Sequence, residues 1–313
     1  MAVTTDAVLA GVKRRAVVPT NQITLDDTDI IKLIDDVIKV HVVPMVDSVN
    51  GEFFVTSEQT TVVAGQSNYT IPYRAIGRSL RDLKIVDTVN SDTRDCPYIA
   101  PEDIQYYENT ALVYGHYFKG DEIYLVPDVA STYTGNDALQ IWYKIRPSAL
   151  VKLSNAAKVS NVSSPDVVVE SVGDIVTGSV IDFIKGKSGN KIKGVDKSVV
   201  NVAGTTLTFA AADLPTDLES GDYISIQGTS PVITMIPDEC SPWIERLGAR
   251  EVLLAIGDDV GADKLAPGIA QERENLLMLL EPRNKGEPRV MINRHGLVRG
   301  SKFYNRRWNY GGL

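Results

Sequence analysis

The sequence predicts an α+β fold in which helices from both ends of the chain form a bundle, with two antiparallel β domains inserted between them. Apolar residues recur at three- and four-residue steps near both ends, and this spacing changes to two after Gly51. The expected divisions are N-terminal helices (1–50), a first β domain (51–152), a second, small β-barrel or sandwich domain (153–231), a C-terminal helical hairpin (232–282) and an extended arm (283–313).

The composition is that of a globular protein. Hydrophobic residues make up 43% and charged residues 23% of the 313 residues, close to the averages for soluble domains. No apolar run reaches the roughly 18 residues that a membrane span requires, and no apolar block of signal-peptide length follows the early basic cluster Lys13, Arg14 and Arg15. We therefore expect a protein made in the cytoplasm, without a membrane partner.

The net charge of −8 is distributed unevenly. Residues 283–313 hold eight basic side chains and one acidic one, so this segment carries +7 and the remaining 282 residues carry −15. A basic tail on an acidic body suggests an acidic protein partner, such as another copy of the chain, or nucleic acid. The alternative that charge alone leaves open is a solvated, disordered terminus.

Two helices are predicted before residue 50. The first spans about residues 5–16, with Thr5 or Asp6 as its N-cap. Acidic residues then begin a stronger helix from Asp26 to Val43, because negative charge is favourable at a helix N-terminus. Pro44 is expected to end or kink this helix.

Short β-type runs broken by Gly, Asn, Asp and Pro predict antiparallel strands from residue 51 onward. The clearest unit runs from Leu112 to Phe118, turns at Lys119-Gly120-Asp121 and continues from Glu122 to Val126, which predicts a β-hairpin. A polar stretch around residues 154–164 marks the boundary of the second β domain. The strands predicted there have the short spacing of a small barrel or sandwich: Val167–Val169, Ile175–Val176, Val180–Ile184, Val199–Val202, Leu207–Phe209 and Tyr223–Ile226.

A pair of helices is predicted near the end of the chain. Ser241 is a suitable N-cap and is followed by Pro242 at the first helical position, where the missing N–H costs nothing. Gly257 is a plausible C′ glycine, and a second helical run spans about Ala262 to Glu281. Joined by a short loop, the two helices should lie antiparallel and complete the bundle with the acidic helix.

No catalytic, cofactor-binding or metal-binding constellation is recognisable in the sequence, so we do not expect an enzyme. Gly186-Lys187-Ser188 suggests phosphate binding, but a P-loop needs a glycine five residues before Gly186, where Ile181 stands. Asp35-Asp36 is expected on the outward face of its helix rather than in a metal cluster. The three histidines lie in unrelated contexts, without a nucleophile motif nearby.

The tail mixes basic residues with aromatic and aliphatic ones. Its glycines and prolines predict an extended arm, and arginine with tryptophan and tyrosine is the chemistry of binding hot spots. Such an arm can add a strand to a partner's sheet while its aromatic side chains fill pockets. The residues predicted to bind a partner protein or a neighbouring subunit are Arg283, Lys285, Arg289, Arg294, Arg299, Lys302, Phe303, Tyr304, Arg306, Arg307, Trp308 and Tyr310.

Four segments, in the same order over nearly the whole chain, carry a family resemblance: Pro19–Gln22, Asn68–Asp82, Gly221–Ile224 and Asn293–Arg299. Together they resemble tailed-bacteriophage structural proteins of the head-to-tail adaptor group, also called connector or head-completion proteins. The resemblance implies a virion protein at the head–tail interface that forms a ring, expected to be a dodecamer, beneath the portal protein. Such a ring joins the capsid to the tail and passes the genome through its centre.

The partners that the resemblance implies are other copies of the chain, the portal protein, a tail or nozzle protein and the genomic DNA that passes through. It brings no catalytic or cofactor residues. Two alternatives remain open: a tail component such as a nozzle or tail-tube protein, and a DNA-engaging neck factor that acts through the basic arm. An enzyme such as a virion hydrolase would need paired carboxylates or a nucleophile with a base, which the sequence does not show.

Overall fold

The computed structural model describes residues 3–18, 25–87, 92–107, 115–126, 135–187 and 191–281. Within them the chain is a mixture of helices and antiparallel sheets, one of which closes into a six-stranded barrel. The mixed fold class is therefore confirmed, and the second β unit is a barrel rather than a sandwich. The predicted arm, residues 283–313, lies outside the described residues.

The first helix, α1, spans Thr5–Arg15. Its N-cap is Thr4, whose hydroxyl accepts a hydrogen bond from the amide of Ala7 at 3.2 Å, so the predicted caps Thr5 and Asp6 were one or two residues too late. Thr4 has extended backbone angles and satisfies an amide that the helix leaves without a partner. Val8 and Val12, one turn apart, are fully buried.

The acidic helix continues past Pro44. Helix α2 (Asp27–Val37) is capped by Asp26, then widens into a π-helical turn and continues as α3 (Val43–Val49). Proline has no N–H and its ring clashes with the carbonyl four residues earlier. The helix widens just before the proline, where the amide of Val43 bonds to the carbonyl of Ile38, five residues back, and the helical run continues through Pro44.

Helix α5 spans Ser241–Ala255 and helix α6 spans Asp259–Leu280. Ser241 is the first helical residue rather than the predicted cap, because a 3₁₀ turn precedes it and places Cys240 at the N-cap. Gly257 is the C′ residue as predicted, with a φ of 82°. Its amide and that of Asp258 bond back to the α5 carbonyls at 3.1 and 2.9 Å, the pattern of a Schellman motif.

The helices from the two ends of the chain share one hydrophobic core. Helices α1 and α2 both contact α5, and α5 contacts α6. Gly248 lies where three of them meet, because a Cβ atom there would be 3.0 Å from Val12 and 3.2 Å from Ile34. Ion pairs of 2.9 Å, Arg15 with Glu245 and Arg246 with Glu272, link α5 to α1 and to α6.

The chain between these helices begins with two antiparallel sheets, which share a second hydrophobic core. The strands are β1 (Val55–Val62), β2 (Asn68–Thr70), β3 (Ala75–Asp87), β4 (Asp92–Asp95), β5 (Gly115–Lys119), β6 (Glu122–Val126) and β7 (Gly135–Ile145). The first sheet has the strand order β1-β7-β3-β4 and the second has the order β2-β6-β5. A four-residue helix, α4 (Ile104–Tyr107), follows β4.

The predicted hairpin is confirmed over its described part. Strands β5 and β6 pair antiparallel from Gly115 with Val126 to Lys119 with Glu122. The turn therefore consists of Gly120-Asp121, and Gly120 has a φ of 63°, which favours glycine. Residues 112–114 of the predicted first strand lie outside the described residues.

The second β unit is a closed barrel with a hydrophobic core of its own. Its strands are β9 (Ala157–Ser163), β10 (Asp166–Val169), β11 (Val180–Ile184), β12 (Ile192–Ala203), β13 (Thr206–Phe209) and β14 (Tyr223–Ile226). They follow the closed order β10-β13-β12-β11-β14-β9.

Two predictions were wrong in the barrel. Ile175–Val176 lies between two turns and forms no strand, and the stretch around residues 154–164, predicted as a polar boundary, contains the first barrel strand. That strand alternates buried Ala157 and Val159 with polar outward residues.

The chain enters and leaves the barrel through a pair of short strands. Strands β8 (Ala149–Leu150) and β15 (Thr229–Ser230) pair in parallel, unlike the antiparallel pairing predicted throughout. Parallel strands need a long crossover between them, and here the whole barrel supplies it. Pro231, the residue after β15, contacts the start of the chain, because its carbonyl accepts a hydrogen bond from the amide of Thr5 at 2.8 Å.

Candidate functional site

The predicted partner-binding residues, from Arg283 to Tyr310, lie outside the described residues. The described chain brings other polar residues together, where the barrel meets the first sheet. We call these residues the junction cluster: Tyr73, Arg74, Ser148, Asp182 and Asp196. Arg74 and Ser148 come from the segments beside β3 and β7, whereas Asp182 and Asp196 lie on barrel strands β11 and β12.

The centre of the junction cluster is a buried ion pair. The Nη1 atom of Arg74 donates to Oδ2 of Asp182 at 2.6 Å, and the side chains are 4% and 0% exposed. The Nη2 atom of Arg74 donates to the hydroxyl of Ser148 at 2.7 Å and to the carbonyl of Arg146 at 3.3 Å. Both terminal nitrogens of the guanidinium are thus hydrogen-bonded, which fixes its orientation.

Asp182 has further partners within the barrel. The amide of Asp196 donates to its Oδ1 atom at 3.1 Å, and the amide of Gly228 donates to Oδ2 at 2.9 Å. Burial raises the pKa of Asp182 above its ordinary value, while the charge of Arg74 and these amides act in the opposite direction. A buried carboxylate with one cation and two amide donors is well satisfied, so the pair links β11 to the segment before β3 without an unpartnered buried charge.

Tyr73 extends the junction cluster to the surface. Its hydroxyl donates to Oδ1 of Asp196 at 2.9 Å, and Nε2 of Gln227 donates to the same oxygen at 2.8 Å. Burial and the neighbouring Asp196 carboxylate raise the pKa of Tyr73 to about 12. Its hydroxyl therefore remains protonated at neutral pH and serves as a donor.

A cavity of about 420 Å³ opens beside the junction cluster. Lys39, at the π-helical turn, lines it together with Arg74 and Arg146. Asp35 pairs with Lys39 and is buried, although it was predicted to face outward. Ile31, one turn earlier, is also buried, so the inward face of α2 is wider than predicted.

The sequence contains one signal that would have located the junction. Asp182 is an acid in the middle of an otherwise apolar run, Val180-Ile181-Asp182-Phe183-Ile184, and four of these five residues are buried. A charge at such a position is rarely buried without a partner. Its partner, Arg74, lies within the segment Asn68–Asp82 that carries the family resemblance, but nothing local indicated that the two would meet.

Other candidate chemistry has structural explanations. Lys187, of the stretch that suggested phosphate binding, pairs with Glu219 at 2.6 Å. The thiols of Cys96 and Cys240 are free and buried, and burial raises the pKa of each to about 12, so neither is a nucleophile at neutral pH. Among the described residues, no group of three His, Cys, Asp or Glu side chains is placed to hold a metal ion. No helix of the described chain has the length and apolar character to cross a membrane.

Comparisons with known proteins leave the chain unassigned to a family. No family model matches the sequence, and a search of curated proteins found no match.

Proposed function

We propose that this protein is a structural component of a tailed-bacteriophage virion, a head-to-tail adaptor that forms a ring beneath the portal protein. In this proposal the ring joins the capsid to the tail and passes the genome. The helices of both chain ends are the adaptor bundle, the β units are insertions in it, and the basic arm docks on the portal or on a neighbouring copy.

The observation that carries the proposal is the placement of the two chain ends. Helices α1, α2, α5 and α6 share one core, and the chain between residues 55 and 230 consists mainly of antiparallel strands. This is the arrangement that the apolar spacing of the sequence predicts, and the group that the four segments resemble likewise builds its adaptors on a helical bundle with β insertions. The charge distribution also supports it, because −15 on residues 1–282 would repel DNA phosphates inside a channel and prevent the genome from being trapped.

The test is binding to the purified portal protein of the same virus. We expect the full-length chain to co-sediment with portal as a ring, and a chain lacking residues 283–313 to lose this binding. The arm carries the charge and the aromatic side chains that suit an interface. Two further variants separate these contributions: Arg306→Gln with Arg307→Gln removes charge, and Trp308→Ser with Tyr310→Ser removes aromatic contacts.

The possible results have different consequences for the proposal. Full-length protein that stays monomeric and does not bind portal would contradict the adaptor assignment. Unchanged co-sedimentation of the shortened chain would contradict only the role of the arm. Ring formation without portal binding would favour the tail-component alternative, a nozzle or tail-tube protein further from the head.

A second candidate function is supported by the +7 charge of residues 283–313. A DNA-engaging neck factor would bind duplex DNA through these cations, with an affinity that depends steeply on salt. With 6 to 10 phosphate contacts, the affinity should fall by roughly 10³ to 10⁵ between about 50 and 200 mM salt. Binding that is absent at low salt, or that persists without the arm, would exclude this mechanism.

A further inference from the structure

Arg146 differs from the other cations that line the 420 Å³ cavity. Arg74 is paired with Asp182, and Lys39 is paired with Asp35. The side chain of Arg146 is exposed, and no carboxylate of the described residues pairs with it. Arg146 is thus a lining residue whose guanidinium has no ion-pair partner among the described residues.

The remaining wall of the cavity is largely apolar. Val43, Ile76 and Pro147 contribute aliphatic surface, and none of the acidic side chains that the structure describes lines it. Its volume is within the range of small-ligand sites, which are typically apolar pockets with a few placed polar groups. The backbone around Arg146 is also held firmly, because its carbonyl accepts from Arg74 and its amide donates to the Arg74 carbonyl at 2.8 Å.

We propose that this cavity is a binding site for a single carboxylate carried on a short apolar stem, with Arg146 as the residue that recognises the charge. A guanidinium binds a carboxylate through two parallel hydrogen bonds, which a planar, singly charged group satisfies. The apolar wall then covers the stem.

The charge balance favours a carboxylate over a phosphate. A phosphate dianion would bring two charges to a cavity in which two of the three cations already have carboxylate partners. It would also place its hydrated oxygens against Val43, Ile76 and Pro147, whose side chains offer no donor. A carboxylate bound through both oxygens to the Arg146 guanidinium would have its single charge and both oxygens matched.

Two sources can supply this chemistry. One is a glutamate or aspartate side chain of a second copy, and the charge of −15 on residues 1–282 makes such groups abundant. The other is a free small carboxylic acid. The first source rests on the proposed ring, whereas the second is independent of it, so the experiment must measure ligand binding and self-association separately.

The probe is butyrate, a single carboxylate on a short apolar stem, titrated into the full chain and followed by isothermal titration calorimetry. The variant Arg146→Ala should weaken butyrate binding about tenfold or more, the usual effect of losing a charged hydrogen-bonding partner. Arg14→Ala is the matched control, because Arg14 is also exposed and has no ion pair among the described residues. It should bind butyrate as the unmodified chain does.

Sedimentation velocity of the same three proteins identifies the source. If a second copy provides the carboxylate, Arg146→Ala and added butyrate should both shift the protein toward monomers, and Arg14→Ala should not. If the ligand is a free acid, butyrate should bind while self-association stays unchanged. The proposal is overturned if butyrate fails to bind and Arg146→Ala leaves self-association intact, or if Arg146→Ala binds butyrate as tightly as the unmodified chain does.

Discussion

His116 lies on β5, 7% exposed, in edge-on contact with the rings of Tyr98 and Phe118. Its Nδ1 atom is 2.7 Å from the carbonyl oxygen of Cys96, so Nδ1 carries the hydrogen and donates. Burial lowers the pKa of His116 below its ordinary value of 6.5, because a charged imidazole loses hydration in these surroundings. The folded protein therefore prefers the neutral ring.

This preference makes stability depend on pH. The unfolded chain takes up the proton near pH 6.5, whereas the folded chain does so only at lower pH. The free energy of unfolding should therefore decrease as the pH falls below that value. His116→Asn keeps an N–H donor near the position of Nδ1 but cannot be protonated, so it should remove this part of the dependence. Urea unfolding at about pH 8 and about pH 5.5 measures the effect.

The control is Tyr98→Leu. It removes one ring contact of His116 but leaves the titratable group, so stability should decrease at both pH values while the pH dependence persists. If His116→Asn loses as much stability on acidification as the unmodified protein does, the pH dependence must come from other groups.

At the scale of the elements, two local features decide how the helices pack. The π-helical turn before Pro44 keeps one continuous helical run where the proline was expected to end or kink it. Gly248 interrupts the apolar pattern of α5, yet it is buried. Because it has no side chain, α1 and α2 can approach α5 closely at this position. A glycine normally weakens a helix, so its presence in α5 is explained by packing.

Gly248→Val should destabilise the protein by about 1 to 3 kcal/mol, because the added methyl groups have no space between Val12 and Ile34. Urea unfolding followed by far-ultraviolet circular dichroism measures this loss. Ala255→Val introduces the same β-branched side chain at an exposed position of α5 and should change stability by only about 0.5 kcal/mol. Adding Val12→Ala to Gly248→Val should restore part of the loss, and a loss equal to that of Ala255→Val would contradict the packing argument.

At the scale of the whole molecule, the barrel is an insertion whose entry and exit lie side by side. The strands that lead into and out of the barrel, β8 and β15, pair in parallel. The Arg74–Asp182 ion pair links β11 to the segment before β3. Each part has a core of its own, but Ile192 and Val195 of β12 also pack against the core of the two sheets, so the ion pair acts together with apolar contacts at this junction. A buried pair of this kind is costly to break on one side only.

Arg74→Met should destabilise the protein by about 3 to 5 kcal/mol, because it leaves the Asp182 carboxylate buried without its cation. Asp182→Asn in the same chain removes that charge and keeps an acceptor for one of the two amide donors, so the double variant should recover part of the loss. Equilibrium urea unfolding provides the values.

The control for this prediction is the partly exposed pair Lys197–Asp213 on the barrel, with side chains 32% and 33% exposed. Lys197→Met should cost no more than about 1 kcal/mol, as is typical of surface pairs. Equal losses for Arg74→Met and Lys197→Met would show that the junction pair does not hold the barrel in place.

Much of the fold could be predicted from the sequence, but little of the junction could. The strands Val180–Ile184, Tyr223–Ile226 and Glu122–Val126 were predicted with the observed bounds, because a run of apolar or alternating residues between turn residues is a local signal. Ala157–Ser163 was missed because its outward residues are polar enough to resemble a linker. The predicted role of the arm remains a prediction.

By itself the sequence determined the type of most elements and the positions of several turns. The α5 end at Gly257 and the β-hairpin turn at Gly120 follow from backbone preferences within a few residues. Only the tertiary structure decided that the barrel closes and that Arg74 meets Asp182, 108 positions away in the chain. Such pairings depend on strand register and on the burial of each charge, which are set when distant segments pack together and leave little trace in the local pattern.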